Sequence, residues 1–472
     1  MSEERKSGRT AWGWMAAYLF LRWILGTLPG YTFDVNAYKR WALFAARDGL
    51  TQVYRTSDFD YPPLYAYLLW PIGKLYGLLS PEALQSMSDT TLLTVLIKLP
   101  PLFFDLLLAW VLARFGRDLD LRGAKPLLLG TKRLAWGLVL PAFYLLNPAV
   151  LIDTAYWGQP DCIHSTFVVV AFLALAAGAP GVDSPAVLGR IRGAGAAWVA
   201  LALATLMKPL GAPYFPLLLA LTIAWYGLRG AMLGIAAAAV TTLVVLLPFL
   251  LNNPAKTLFD RLVGDVGAMP YTSVNGHNLW WALGGWRNAE EPWLGPLTAT
   301  HVGLLLFGAL LAALLWLGHR QHRMPQGDTG RTGTTAGQGL ALALVLGVGF
   351  FMLSTHMHEN HLFIAIPLVL PLLPLAPRHQ KPMLLLTFAL TFGIALNLLL
   401  HDLTVPQLPP FTWGGPSGVE SVHLKRPFFV TELWTIRFGT AWNLALFAAL
   451  LVALFRRPGL LDAVGPDERH PS

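Results

Sequence analysis

Charge is scarce in this chain of 472 residues. Asp, Glu, Lys and Arg together make up 13%, against about a quarter in a soluble domain, too few to clothe a water-facing surface of this size. Cysteine is all but missing. Cys162 stands alone, which excludes a disulfide framework and a cysteine-ligated metal cluster. The apolar runs lack the polar–apolar alternation of a membrane β-barrel. No internal repeat is present, which argues against a transporter assembled from duplicated halves.

Hydrocarbon fills the remainder. Hydrophobic residues make up 55%, and runs close to the ~20 residues needed to cross a bilayer recur along the whole length. The sequence therefore predicts an all-α integral membrane protein. About 12 transmembrane helices are expected, near residues 11–29, 91–113, 134–151, 162–180, 193–207, 210–227, 230–251, 300–317, 337–354, 361–376, 382–400 and 436–455. They form a single multi-span domain over 1–455, followed by a cytoplasmic tail, 456–472. Arg5, Lys6 and Arg9 before an apolar run from Ala11 resemble a signal peptide. That run is too long and lacks a small-residue cleavage site, so a retained first span is expected.

The net charge of +8 reads as a determinant of orientation, not as a nucleic-acid surface. Pro63–Leu79 is apolar enough to cross, but crossing would put Arg114, Arg117, Arg122, Lys125, Lys132 and Arg133 outside, against the positive-inside rule. It is therefore expected in the outer interface, with Tyr65, Tyr67, Trp70 and Tyr76 at headgroup level. Arg190/Arg192, Arg229, Arg320/Arg323/Arg331, Arg378/Lys381 and Arg456/Arg457 then all fall inside, as do both termini. The loops 30–90, 252–299 and 401–435 fall outside, and long loops of this kind tend to carry function.

Four polar stretches emerge together on that outer side: Asp58–Pro63, Trp157–Asp161, Asn275–Trp281 and Thr355–His361. After the first span, helical spacing puts Asp34, Tyr38 and Trp41 on one face. Asp34 reads as a helix cap or as a general base with a pKa raised at a low-dielectric boundary. Local sequence alone favours the cap. Asp60 and Tyr61 before Pro62-Pro63 read as a cap for a proline-started helix, or as a carboxylate and phenol for sugar hydroxyls. Trp157-Gly158-Gln159-Pro160-Asp161 reads as a tight turn with an Asp cap, or as a pyranose site. In the second reading an indole meets the apolar ring face while Gln159 and Asp161 meet its polar rim.

His356, His358, Glu359 and His361 tempt a metal assignment, but the zinc-protease spacing His-Glu-x-x-His is not met. Interfacial histidines, or imidazole N–H donors to a phosphate, fit at least as well. His277 and Asn278 are the polar pair in an otherwise aromatic anchor. Lys208 either snorkels or points at a lipid phosphate. Arg22, Lys98 and Asp105 lie within spans, where each needs a partner. Arg22 and Asp105 come out at similar depth and are expected to pair.

In order, these elements resemble the GT-C superfamily of polyprenyl-phosphate-sugar-dependent glycosyltransferases, especially the dolichol-pathway glucosyltransferases and bacterial mannosyltransferase-like members. The likeness runs from about residue 30 to 365. Asp34–Trp41 looks like their acidic first-loop element, Asp60-Tyr61-Pro62-Pro63-Leu64 their Asp-Tyr-Pro-Pro-Leu, and Met357-His358-Glu359 the start of their Met-His-Glu-Arg/Lys. The resemblance implies that Asp34 deprotonates an acceptor hydroxyl and that His358 lies near the donor phosphate. It also implies that Trp157, Gln159 and Asp161 lie near substrate. Asn360 stands where the family has a basic residue, so Lys208, Arg287, Lys425 or Arg426 would supply the missing charge.

The function expected is inverting transfer of a hexose from a polyprenyl-phosphate donor to a glycan or glycolipid acceptor, on the extracytoplasmic face of the cell membrane. No cofactor is expected and no nucleic-acid partner; membrane lipids surround the chain. Substrate-binding residues are expected to include Asp60, Tyr61, Trp157, Gln159, Asp161, Lys208, His277, Asn278, His356, His358 and Glu359. The rivals are a flippase for lipid-linked sugars, which would place polar residues at mid-bilayer depth and on both faces, and a metal-dependent relative with Asp34, His358 and Glu359 as ligands.

Overall fold

The structure, a computed structural model, describes residues 2–129, 131–179, 193–264, 270–285, 287–322, 331–376, 379–404 and 433–456. Most of the expected outer loop 401–435, with Lys425 and Arg426, lies outside the described residues, as do Arg190, Arg192, Arg323, Arg378 and 457–472.

Helix α1 (Ser2–Thr27) turns into α2 (Thr32–Asp48), which lies against α3 (Pro63–Leu79). The two approach so closely that a side chain at Gly73 would strike the Ala42 carbonyl. Helix α4 (Thr91–Leu121) leads through a hairpin, β1 (Leu127–Leu129) with β2 (Lys132–Leu134), to α5 (Trp136–Leu145). Asp120 near the end of α4 accepts from the backbone N–H groups of Trp136 and Gly137, both at 2.9 Å. It thus satisfies donors that the start of α5 leaves open.

The chain then bends by 43° into α6 (Pro148–Trp157). Proline suits a first helical turn, and the Asn147 side chain caps it by accepting from Ala149 N. From Leu151 to Trp157 the helix winds as π, not α, a form that concentrates at functional sites. It stops at Gly158, where φ is 76°, a left-handed value that glycine adopts without strain.

Helices α7 (Asp161–Ala177), α8 (Ala194–Met207) and α9 (Phe215–Asn252) pack consecutively. Gly227 breaks α9 at φ 68° and ψ −174°, so two helices meet there, matching the separate runs 210–227 and 230–251. The remainder is α10 (Ala299–His322), α11 (Arg331–Leu353), α12 (Ala365–Leu375), α13 (Gln380–Thr404) and α14 (Leu433–Arg456). Most of α11 from Thr335 onward is buried, packed by α7, α10 and α14. By contrast α9 exposes Leu228, Met232, Leu233, Val240, Val244 and Leu251. Such a surface is a liability in water and an ordinary solvated face in hydrocarbon.

Among the described residues six helices are long and apolar enough to cross a membrane, or seven if α5 and α6 form one bent span. The chain is a mostly helical, multi-pass membrane protein. Helices α7, α8 and α12 are apolar but shorter. Proline interrupts several runs: Asn147-Pro148 splits 134–151, and 361–376 is helical only from Ala365, with three prolines inside. Short strands punctuate the loops. β3 (Ser273–Val274) pairs in parallel with β6 (Met357–His358), and β4 (Pro292–Leu294) with β5 (Leu297–Thr298) antiparallel.

The charges within spans find partners. Arg22 Nη1 donates to Asp105 Oδ2 at 2.7 Å, the pair expected from depth. Asp105 also accepts from Tyr18, Thr154 and Tyr144. Lys98 Nζ donates to the carbonyls of Leu28 and Tyr156 at 2.8 and 2.6 Å.

Candidate active site

Asp34 lies in the first turn of α2, and the helix already starts at Thr32, with Tyr31 in the capping position. Asp34 is therefore not the cap that local sequence favours. Its Oδ2 accepts from Gln159 Nε2 at 2.5 Å. Gln159 Oε1 in turn accepts from the Tyr38 hydroxyl at 2.7 Å. Tyr38 is held by Tyr61, Tyr65 and Trp41, with ring centroids 6.2, 5.4 and 5.5 Å away.

A second group forms around Asp161. Pro160, not Asp161, occupies the capping position of α7. The buried Asp161 carboxylate accepts from Lys208 Nζ on Oδ1 and from Asn360 Nδ2 on Oδ2, both at 2.7 Å. His164, one turn along α7, comes within 3.7 Å of Oδ1. The Lys208 ammonium lies 6.0 Å from the Tyr61 ring centroid, so Tyr61 joins this group to the Tyr38 side.

The late polar stretch reaches the site through Asn360, but not as a helix. Met357–His358 is a strand followed by a turn, so His358 and His361 do not stand one turn apart on a helix. Their rings still lie 5.0 Å apart, and His361 Nδ1 accepts the His358 backbone N–H at 3.2 Å. His356 takes φ 62°, donates its backbone N–H to Tyr271 O and Thr272 O, and has Nδ1 2.9 Å from Thr355 Oγ1. Glu359 is buried.

The third stretch is tied in by backbone. Ser273–Val274 pairs with Met357–His358, and Asn275 bridges to His358. Its two candidate residues hold the loop in place. His277 N–H donates to Asn397 Oδ1, and its carbonyl accepts from Asn443 Nδ2. Asn278 caps Leu279–Ala282 and donates to Phe351 O and Ser354 O. Trp157 is fully buried, its ring 5.2 Å from Tyr31, so its indole packs inside the protein. Arg287 is exposed. Asp60 is exposed too and lies two residues before Pro62, the residue in the α3 capping position.

Electrostatics separate the carboxylates. Burial pushes Asp34 up to about 7; Lys208 pulls it down while Asp60 and Asp161 push it further up. Burial likewise pushes Glu359 up to about 8, and Asp34 adds to that. Burial raises the phenols of Tyr38, Tyr61 and Tyr65, so all three remain hydrogen-bond donors at neutral pH. His277 is pushed down to about 4 by burial and is neutral.

The structure adds residues beyond those picked from sequence. His164 had helical spacing as a clue, three residues after Asp161, whereas Tyr65, expected at headgroup level, is fully buried beside Tyr38 and Tyr61. Asp153 is fully buried with both carboxylate oxygens unbonded. Among the described residues no three His, Cys, Asp or Glu side chains converge as a metal-ligand set. No family model matches the chain, and no curated protein matches it.

Proposed function

We propose that this chain is an inverting glycosyltransferase of the GT-C kind. It moves a hexose, mannose or glucose, from a polyprenyl-phosphate donor to a lipid-linked or surface glycan on the outer face of the cell membrane. The observation that carries the reading is Asp34: a carboxyl poised near neutrality, one oxygen bonded to Gln159, at the meeting point of polar segments far apart in sequence. A general base works best with a pKa near the operating pH.

In the step proposed, the acceptor hydroxyl oxygen attacks the anomeric carbon and its proton goes to Asp34. The bond from that carbon to the phosphate oxygen breaks on the opposite side, and the polyprenyl phosphate leaves with the electron pair. Lys208 and Asn360, already held on Asp161, present donors to the charge that gathers on the phosphate. Lys208 thus supplies the cation beside Asn360, where related motifs carry a basic residue. The twelve apolar runs cross in the order read from the sequence, with the site on the extracytoplasmic side, and the lipid tail of the donor lies between helices.

The deciding experiment supplies purified protein with a panel of labelled polyprenyl-phospho-sugars and a glycolipid acceptor mixture. Labelled glycan of inverted anomeric configuration, absent with Asp34→Asn, supports the reading. Failure of every donor in the panel, with folded protein, removes it.

A further inference from the structure

We infer that Gln159 is a positioning residue for Asp34 and that Tyr38 sets the orientation of its amide, so that Asp34 keeps one carboxylate oxygen fixed and the other available. This deepens the proposed function and rests on Asp34 acting there as the base. The argument begins with hydrogen-bonding capacity. An ionised carboxylate only accepts, so the Gln159 atom facing Asp34 must be the amide nitrogen. The amide oxygen then faces Tyr38, and the phenol must donate to it. The chain of donors runs one way, Tyr38 to Gln159 to Asp34.

Each member is held from behind. Gln159 is buried, and its backbone N–H donates to the Asp153 carbonyl at 3.0 Å. Gly158 before it is left-handed and leaves no room for a side chain against Lys98. Tyr38 is buried within the Trp41, Tyr61 and Tyr65 rings. Asp34 Oδ1 has no hydrogen-bond partner among the described residues, and Asp34 is only partly buried. One oxygen is fixed and one is open, the arrangement a base needs toward an incoming hydroxyl.

The bond to Gln159 favours the charged carboxylate, and so it lowers the Asp34 pKa against burial. The other groups acting on Asp34 are Lys208, Asp60 and Asp161, and Asp34 in turn acts on Glu359, Tyr38, Tyr61 and Tyr65. Apart from Tyr38, whose hydroxyl loses its acceptor, none of these groups is bonded to Gln159, so a shift on replacement reports the loss of the Tyr38–Gln159–Asp34 chain.

The test is an infrared pH titration of purified protein without substrate, with the Asp34 carboxyl band assigned as wild type minus Asp34→Asn. Loss of a hydrogen bond to the charged form is expected to move the midpoint by roughly one pH unit, the equivalent of about 1.4 kcal/mol. Gln159→Leu is expected to raise the midpoint by about that amount. Tyr38→Phe, which removes one hydroxyl and is the gentler variant should Gln159→Leu fail to fold, is expected to raise it by less. In a transfer assay with whichever labelled polyprenyl-phospho-sugar is turned over, the acid limb moves the same way. An unmoved midpoint in a folded variant overturns the inference, even if the rate falls. Transfer at close to the wild-type rate in Asp34→Asn overturns the proposed function instead and leaves the titration result standing.

Discussion

Lys208 and Asp161, 47 residues apart, form a buried ion pair at 2.7 Å. The opposite oxygen of the same carboxylate carries Asn360, so one side chain on α7 joins three segments of the chain. Removing one partner of such a pair strands the other charge, at a cost of about 3–5 kcal/mol. Lys208→Met is therefore expected to lower the unfolding temperature in detergent and abolish transfer. Adding Asp161→Asn should restore part of the stability and none of the transfer. A double variant as active as wild type would refute the phosphate role of Lys208.

Transfer is expected to rise with pH through the Asp34 value of about 7, because only the deprotonated carboxylate can take a proton. Asp34→Asn should lower the rate by about 10²–10⁴-fold, the usual contribution of a positioned base. The same shift acts on stability with the opposite slope. A carboxyl whose folded pKa is raised contributes stability that is fully present below its unfolded value and lost as pH rises through the folded one. Between about 4 and 7, stability should fall with rising pH, and Asp34→Asn should flatten that fall. Thermal unfolding across this window measures it.

Gly158→Ala should distort the site without touching a polar group. Its backbone is left-handed and an added Cβ would press on the Lys98 stem at 2.8 Å. Such strain costs about 1–3 kcal/mol, and it displaces Gln159 next door. A substantially lower kcat in an otherwise folded variant is the expected outcome.

Transfer should persist in excess EDTA. The described Asp, Glu, His and Cys side chains do not converge as a ligand set, and the buried Asp161 carboxylate is already paired with the Lys208 ammonium. Activity lost to the chelator and restored by magnesium or manganese would favour the metal-dependent rival.

At Asp105, replacement by Asn should destabilise strongly, since Arg22 keeps only Thr154, Tyr18 and the Lys98 carbonyl as partners. Reversing both charges should restore only part of the loss, because Tyr18, Tyr144 and Thr154 also donate to that carboxylate. Detergent-solubilised yield and melting temperature would read this out.

Much of this molecule was open to reading from sequence for one reason: charge inside an apolar run must be paired. That rule put Arg22 with Asp105 from depth alone. A different rule, the positive-inside bias of the short loops, puts the four polar stretches on one expected side. It could not reveal which carboxylate oxygen meets which amide. Asp34 and Gln159 are 125 residues apart, and no local pattern links them. The cap readings of Asp34 and Asp161 failed because helix starts shift by a residue or two, and a carboxylate in the first turn suits the helix dipole whether or not it caps. The pairing of Ser273–Val274 with Met357–His358 escaped notice because strands so short carry no periodicity. Trp157 reads from sequence as part of a tight turn or as a sugar platform, and in the structure it is buried against Tyr31.

The π-wound stretch Leu151–Trp157 has a consequence for how this segment tolerates insertion and deletion. A π winding bonds each N–H five residues back instead of four, so it takes up one residue more than an α-helix over the same rotation. Removing one residue here would let the stretch wind as α and leave everything beyond it on nearly its present bearing, so that Gln159 still meets Asp34. The same deletion inside an ordinary helix such as α7 turns everything beyond it by about 100°, and should be the less tolerable of the two.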